Sequence, residues 1–212
     1  EQRKLELSLN DLIDSIEFMP ALNKLLFKDA IKRIDKINII AEIKKASPSH
    51  GIINEKLDIL DIAKQYEQNG ASAISILTDK KYFLGSLDFL QKVSNSVLLP
   101  CLCKDFIIDE YQIYEAKKYF ASAILLIANI LHKDFIKNFL NKASQLGLDV
   151  LLEIHDHDDL RKIENLDFDI VGINNRCLED MSINLNTSIE LKKYFKNDII
   201  TVSESGIKTK ED

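Results

Sequence analysis

Seven short apolar runs, each ending in polar side chains and starting roughly every 20 to 35 residues, limit what this chain can fold into more than any other feature. They occupy residues 39–43, 73–77, 97–102, 123–127, 149–154, 170–173 and 199–202. Runs this short and this rich in Ile, Val and Leu suit strands buried on both faces. Helical patterns fill the gaps: 57–69, closed by Gly70; 87–94; 110–119; 133–146, closed by Gly147; a short one from 158; and 187–195. Strand and helix in alternation predict a parallel sheet covered by helices. Pro100 counts against the third run, because proline cannot donate to a sheet ladder.

Strand side chains alternate between faces. Ile40, Glu42 and Lys44 therefore share one side, as do Leu102 and Lys104, Leu151 and Glu153, and Gly172, Asn174 and Arg176. Every run finishes in polar residues: Glu42 and Lys44, Thr78 and Asp79, Lys104 and Asp105, Asn129, Glu153 and His155, Asn174 and Arg176, then Ser203, Glu204 and Ser205. A (β/α)8 barrel fills its interior with apolar layers and gathers its chemistry at the C-terminal mouth, which is this distribution. A doubly wound open sheet is the alternative, but it collects its ligand at one switch point. The turn Ser203–Ile207 is rich in small residues and follows the seventh run, where barrels bind phosphate through backbone N–H groups; a plain turn is the competing reading. Lys44, Lys104 and Arg176 add positive charge suited to an anionic ligand. Taken alone, the Glu42–Lys44 pair reads equally well as a surface ion pair at a strand end.

Residues 1–37 are charged and helical in pattern, with Leu9, Leu12, Ile13 and Ile16 on one stripe and Leu22, Leu25, Leu26, Ala30 and Ile34 on a looser one; Met19-Pro20 separates them. We expect two amphipathic helices laid on one domain spanning 1–212, with the barrel units in 38–212. The 212 residues suffice for a sizeable core. A net charge of −6 argues against a nucleic-acid surface. No apolar run approaches the roughly 18 residues of a membrane span. Cys101, Cys103 and Cys177 form no disulfide framework; the first two read as packed thiols in a reducing cytoplasm. His50 reads as a solvated loop residue and His132 as an ordinary helix-start residue, and His155 approaches the mouth without an assigned role.

Several ordered motifs together resemble the indole-3-glycerol phosphate synthase family. They are Ala-Glu-Ile-Lys-Lys-Ala-Ser-Pro-Ser-His-Gly at 41–51, Ala-Ile-Ser-Ile-Leu-Thr-Asp at 73–79 with Phe-Leu-Gly at 83–85, and Lys-Asp-Phe-Ile-Ile-Asp-Glu-Tyr-Gln at 104–112. Ala-Ile-Leu-Leu-Ile at 123–127, Leu-Glu-Ile-His at 152–155, Gly-Ile-Asn-Asn-Arg at 172–176 and Val-Ser-Glu-Ser-Gly-Ile at 202–207 complete the set. The resemblance implies a barrel enzyme of tryptophan biosynthesis, free of metal and cofactor, that closes the indole ring of a small phosphorylated substrate. It implies Lys104 as the acid, Glu153 as the general base, and Lys44 as a second acid tuned by Glu42. It places Ser47, Phe106, Asn174, Arg176 and Glu204 against the substrate and Ser205 and Gly206 in the phosphate cradle. Cys103 stands where the family often has arginine, on the strand face turned from the mouth. Two rival functions remain: a related phosphate-binding barrel such as phosphoribosylanthranilate isomerase, which would not need the set Glu42, Lys44, Lys104 and Glu153, and an inactive truncated barrel acting as a binding module, favoured only if the chain truly ends here. We expect no nucleic-acid or membrane partner and a monomer or weak oligomer, with association with other tryptophan-pathway enzymes left open.

Only six residues follow Gly206. The expectation is therefore a barrel lacking its eighth strand and helix, from a chain that is part of a longer one. As a whole molecule it would leave its first and seventh strands as unpaired edges.

Overall fold

The computed structural model describes residues 2–20, 24–34, 36–209 and 211–212. In chain order the elements are α1 (Gln2–Glu6), α2 (Leu9–Glu17), α3 (Phe27–Ala30), β1 (Ile40–Ile43), a hairpin of β2 (Ala46–Ser47) and β3 (Gly51–Ile52), and α4 (Ile59–Gln68). Then come β4 (Ala73–Leu77), α5 (Lys80–Phe83), α6 (Leu87–Ser96), β5 (Cys101–Lys104), α7 (Glu110–Lys118), β6 (Ala123–Ile127) and α8 (Lys133–Gln145). The chain continues through β7 (Asp149–Ile154), α9 (His157–Ile163), β8 (Ile170–Asn174), α10 (Asn186–Leu191) and β9 (Ile200–Glu204).

Seven strands form a parallel sheet in the order β1-β4-β5-β6-β7-β8-β9. Sequential parallel neighbours joined by helices curl the sheet toward a barrel. Parity explains which face goes where. Ile40, Ala73, Leu102, Ala123, Leu125, Leu151, Ile170, Ile200 and Val202 turn to a common interior. The alternate residues, among them Ile43, Ile74, Ile76, Cys103, Ile124, Leu152 and Val171, pack outward against the helices. Helix starts are fixed by side chains that accept the otherwise unpaired N–H groups: Asp58 for α4, Ser86 for α6, Asp109 for α7 and Asp156 for α9.

Two sequence expectations need correction. The strand expected at 97–102 begins only at Cys101. Pro100 has no N–H for the ladder, although its carbonyl accepts from Ile74 at 3.0 Å. The second N-terminal helix is a single turn, α3. Leu25, Leu26 and Ile34 are exposed, and Leu22 lies outside the described residues. What that segment buries is Phe27 and Ile31, which fill the interior at the N-terminal end of the sheet, where the Lys28 N–H donates to Asp149 at 2.9 Å. It plugs the barrel's floor, a task that needs two apolar residues at one end, not a periodic stripe. By contrast α2 lays down most of its stripe, with Leu12 fully buried against Tyr111 and Tyr114 of α7 and Ile13 and Ile16 packed beside it, while Leu9 stays exposed.

Candidate active site

The interior parity of β1, β5 and β9 carries Glu42, Lys104 and Glu204 one step above the apolar layer. Lys104 Nζ lies 3.1 Å from Glu42 Oε2 and 3.1 Å from Glu204 Oε2, and Lys44 Nζ lies 2.5 Å from Glu42 Oε1. One ammonium thus bridges two carboxylates, and one carboxylate bridges two ammoniums. Burial alone would raise the Glu42 carboxyl, but Lys104 and Lys44 outweigh it and hold it below the usual carboxylate range. Burial would lower Lys104, yet Glu204, Glu42 and Glu153 keep its proton on well above the usual lysine range. That third influence places Glu153 in the same electrostatic cavity, on β7, two strands from β5 and two from β9 in the sheet order and facing the same way.

Glu153 is 4% exposed. Asn174 Nδ2 donates to its Oε1 at 3.1 Å, and His155 Nε2 lies 3.1 Å from the same oxygen. Burial pushes the Glu153 carboxyl up; His155, Lys104 and Asn174 together bring it below the ordinary value. Glu204 goes the other way. Burial, with Glu153 and Glu42 as like-charged neighbours, outweighs Lys104 and pushes it up to about 7. Carboxylates of one cavity whose proton affinities are driven apart can divide acid and base work. Two buried oxygens here have no hydrogen-bond partner among the described residues, Glu204 Oε1 and Ser75 Oγ, which is unusual outside functional sites. Gly172 makes room for the first: a Cβ on it would sit 2.1 Å from Glu204 Oε1.

The turn after β9 holds Ser205 and Gly206 at positive φ (64° and 85°), conformations that favour glycine at the second position. It is fastened by Asn175, a residue the sequence reading passed over. Asn175 is 2% exposed, and its Nδ2 donates to Ser203 Oγ at 3.0 Å and to the Ser205 carbonyl at 3.1 Å. Its Oδ1 accepts from the Ser188 N–H at 3.1 Å and from Ser188 Oγ at 2.8 Å. Every donor and acceptor of the amide is used. The available signal was parity, which turns Asn175 away from the interior where a polar residue needs partners.

Other expected site residues fall at the rim. Ser47 is buried in the β2–β3 hairpin that follows β1, a feature the sequence reading missed. Phe106 is 39% exposed beside Phe83, with ring centroids 6.2 Å apart. Arg176 is not drawn into the charged cluster: its Nη1 donates to the Met181 carbonyl at 3.0 Å, in the loop after β8. His50 is exposed and contacts Ser49; Cys101 and Cys103 are buried free thiols, Cys103 against Thr78. Among the described residues, no group of three His, Cys, Asp or Glu side chains is placed to hold a metal ion, and no helix is long and apolar enough to cross a membrane.

Comparison with solved structures shows the barrel fold. The chain is similar to the N-acetylmannosamine-6-phosphate 2-epimerase of Clostridium perfringens (TM-score 0.63, 17% identity, 91% of this chain and 85% of that one). It is also similar to a chain of the tryptophan synthase a2b2 complex of Pyrococcus furiosus (TM-score 0.56, 13% identity, 82% and 80%). Sequence relatives are much nearer. The indole-3-glycerol phosphate synthase of Clostridium acetobutylicum is 46% identical over 209 residues, covering 99% of this chain and 79% of that protein. That of Campylobacter jejuni subsp. jejuni (strain 81-176) is 45% identical over 212 residues, covering 100% and 82%. The profile of that family matches residues 1–212. With the curled sheet, the ammonium-bridged carboxylates and these relatives in agreement, the chain belongs to the indole-3-glycerol phosphate synthase family.

Proposed function

We propose that this chain performs its family's reaction at the Glu42–Lys44–Lys104–Glu153–Glu204 cluster. As a carboxy-lyase of tryptophan biosynthesis it converts 1-(2-carboxyphenylamino)-1-deoxyribulose 5-phosphate to indole-3-glycerol phosphate, with loss of carbon dioxide and water. The ring carbon bearing the carboxylate attacks the substrate ketone, and the ketone oxygen becomes an oxyanion. Lys104 stays protonated and donates to that oxygen, where a fixed buried cation is worth far more than in water. The C–CO₂ bond then breaks and its electron pair restores the aromatic ring. In the last step the hydroxyl leaves as water and a base takes one proton from the carbon beside the ring nitrogen. Glu153, ionised and held by Asn174, is that base.

Lys44 binds the substrate and serves as a second acid, with Glu42 dividing its oxygens between the two ammoniums. Glu204 keeps Lys104 in place and offers Oε1 to the substrate. Ser47, Phe106, Asn174 and Arg176 orient the anthranilate and the ribulose chain, and Ser205 and Gly206 receive the phosphate on a turn that Asn175 holds open. The buried free thiols of Cys101 and Cys103 suit a reducing cytoplasm.

The observation that supports this reading most is the double bridge at Lys104, 3.1 Å to Glu42 and 3.1 Å to Glu204. Lys104→Met and Glu153→Gln should each lower kcat by about 10²- to 10⁴-fold in a fluorescence assay of product formation while circular dichroism shows a folded protein. Near-normal turnover of either folded variant would overturn the assignment of its residue.

A further inference from the structure

His155 is buried beside the base, and the steps above leave it without a task. It lies two residues after Glu153 at the C-terminal end of the same strand, and its side chain is 6% exposed. Asp159, itself 2% exposed, grips it twice through one oxygen: Oδ2 accepts the His155 backbone N–H at 3.0 Å and lies 3.3 Å from Nδ1. Asp159 is fixed in turn by its own N–H, which donates to Asp156 Oδ1 at 2.9 Å. So anchored, the ring sets Nε2 3.1 Å from Glu153 Oε1, an ionic contact and not an aligned hydrogen bond. Asn174 occupies the same oxygen.

We propose that His155 is a positioning residue for Glu153: an imidazolium clamped by Asp159 that fixes Oε1 and so leaves Oε2 as the oxygen that takes up the proton. The proposal rests on the reading of Glu153 as the base. Its physical basis is charge balance. Glu153 and Asp159 face the ring from either side, and without a cation between them two buried carboxylates would share a poorly solvated space. The other charges nearby do not replace it. On α9, Lys162 Nζ lies 3.7 Å from Asp159 Oδ1, the oxygen turned from the ring. On β5, Lys104 is engaged by Glu42 and Glu204, and Glu204 on β9 repels the Glu153 charge. Burial would make the imidazole give up its proton, but Asp159 and Glu153 prevail and push its pKa up to about 9.

The test is the pH dependence of kcat and kcat/KM for wild type, His155→Leu, His155→Gln and Asp159→Asn, with melting temperatures measured alongside. The acid limb of kcat/KM reports the base in the free enzyme, and the substrate phosphate titrates alike for all variants. His155→Leu should lower kcat by about 10- to 100-fold and leave KM within about threefold. It should move the acid limb to higher pH, because Glu153 loses a neighbouring cation. His155→Gln, polar but uncharged, should recover part of kcat without restoring the acid limb, and Asp159→Asn should move both in the same direction by less. An unmoved acid limb in folded His155→Gln overturns the proposal, even if kcat falls; if His155→Leu does not fold, His155→Gln decides. Glu153→Gln run in parallel separates the readings. If it stays active the base itself is misassigned; if it is dead while His155→Gln matches wild type, only the positioning role fails.

Discussion

The mouth of this sheet has two halves built on opposite principles. Around Lys104, the groups are charged, each holds the next by an ion contact of 2.5 to 3.1 Å, and one buried carboxylate oxygen has no hydrogen-bond partner among the described residues. Around Asn175, the groups are neutral, and four hydrogen bonds satisfy the amide completely. The charged half is held by balance: removing any member leaves another charge uncompensated in a poorly solvated cavity. The neutral half is held by saturation, which fixes a backbone shape without biasing any proton. The difference matches the proposed division of labour. Changing charges need groups whose proton affinities are far apart, whereas a phosphate that reacts at no step needs only a rigid turn of N–H donors.

Short of removing an acid or base outright, the largest effect should come from the charged half through a residue with no charge at all. Gly172→Ala places a methyl group 2.1 Å from where Glu204 Oε1 now sits. The obstruction is the far end of a flexible side chain, so the strand tolerates the change and the carboxylate swings off Lys104. We expect a kcat loss on the order of 10²-fold, as for a misplaced reacting group. The stability cost should stay within roughly 1 to 3 kcal/mol. Steady-state kinetics beside a denaturant titration measures both, and turnover close to wild type would mean that the Lys104–Glu204 contact is dispensable.

Next in size is Asn175→Ala, the corresponding break in the neutral half. It strands the Ser188 N–H and the Ser205 carbonyl, at a cost of about 1 to 3 kcal/mol if they stay buried. The turn then loosens, and KM should rise about tenfold, the equivalent of 1.4 kcal/mol of binding. The catalytic groups are untouched, so kcat should change far less. Asn175→Asp sharpens the contrast, since it keeps the acceptor and loses both donors while adding a negative charge under a phosphate site. It should raise KM further than alanine does. A fall in kcat with KM unchanged would break the division between the halves.

How much of this could be read from the chain follows the same division. Residues such as Leu102, Lys104, Leu151 and Glu153 announced their face by strict alternation, because a parallel strand buried on both sides has no freedom to present them otherwise. The charged half was therefore legible from parity together with the family motifs. Asn175 was not, since a polar residue between Asn174 and Arg176 looks like loop; only its fourfold bonding to Ser188, Ser203 and Ser205 gives it a role, and those partners are 13 to 30 residues away. The floor was hidden for another reason. Phe27 and Ile31 satisfy helical spacing, but they are chosen by the hole they fill, which seven distant strands define. The β2–β3 hairpin escaped because pairing two residues on each side leaves no periodicity to detect.

The smallest expected effect compares the halves directly, through pH. A group whose folded pKa is raised stabilises the fold fully below its unfolded value and ceases to do so as pH climbs through the folded one. His155, raised from 6.5 to about 9, therefore lends stability that is complete below pH 6.5 and is lost toward pH 9. Glu204, raised from 4.5 to about 7, loses its contribution earlier, between those two values. Glu42 and Glu153 have lowered values and oppose this on the acid side, where their contribution is present above pH 4.5 and lost as pH falls. The melting temperature of the wild type should consequently decline between pH 6.5 and 9, and His155→Gln should flatten that decline. Asn175→Ala should lower the melting temperature by the same amount at every pH, because nothing in its network titrates in that range. Parallel curves for wild type and His155→Gln would show that the imidazole is not bound by the two carboxylates beside it, and a pH-dependent gap for Asn175→Ala would show that the two halves share their charges after all.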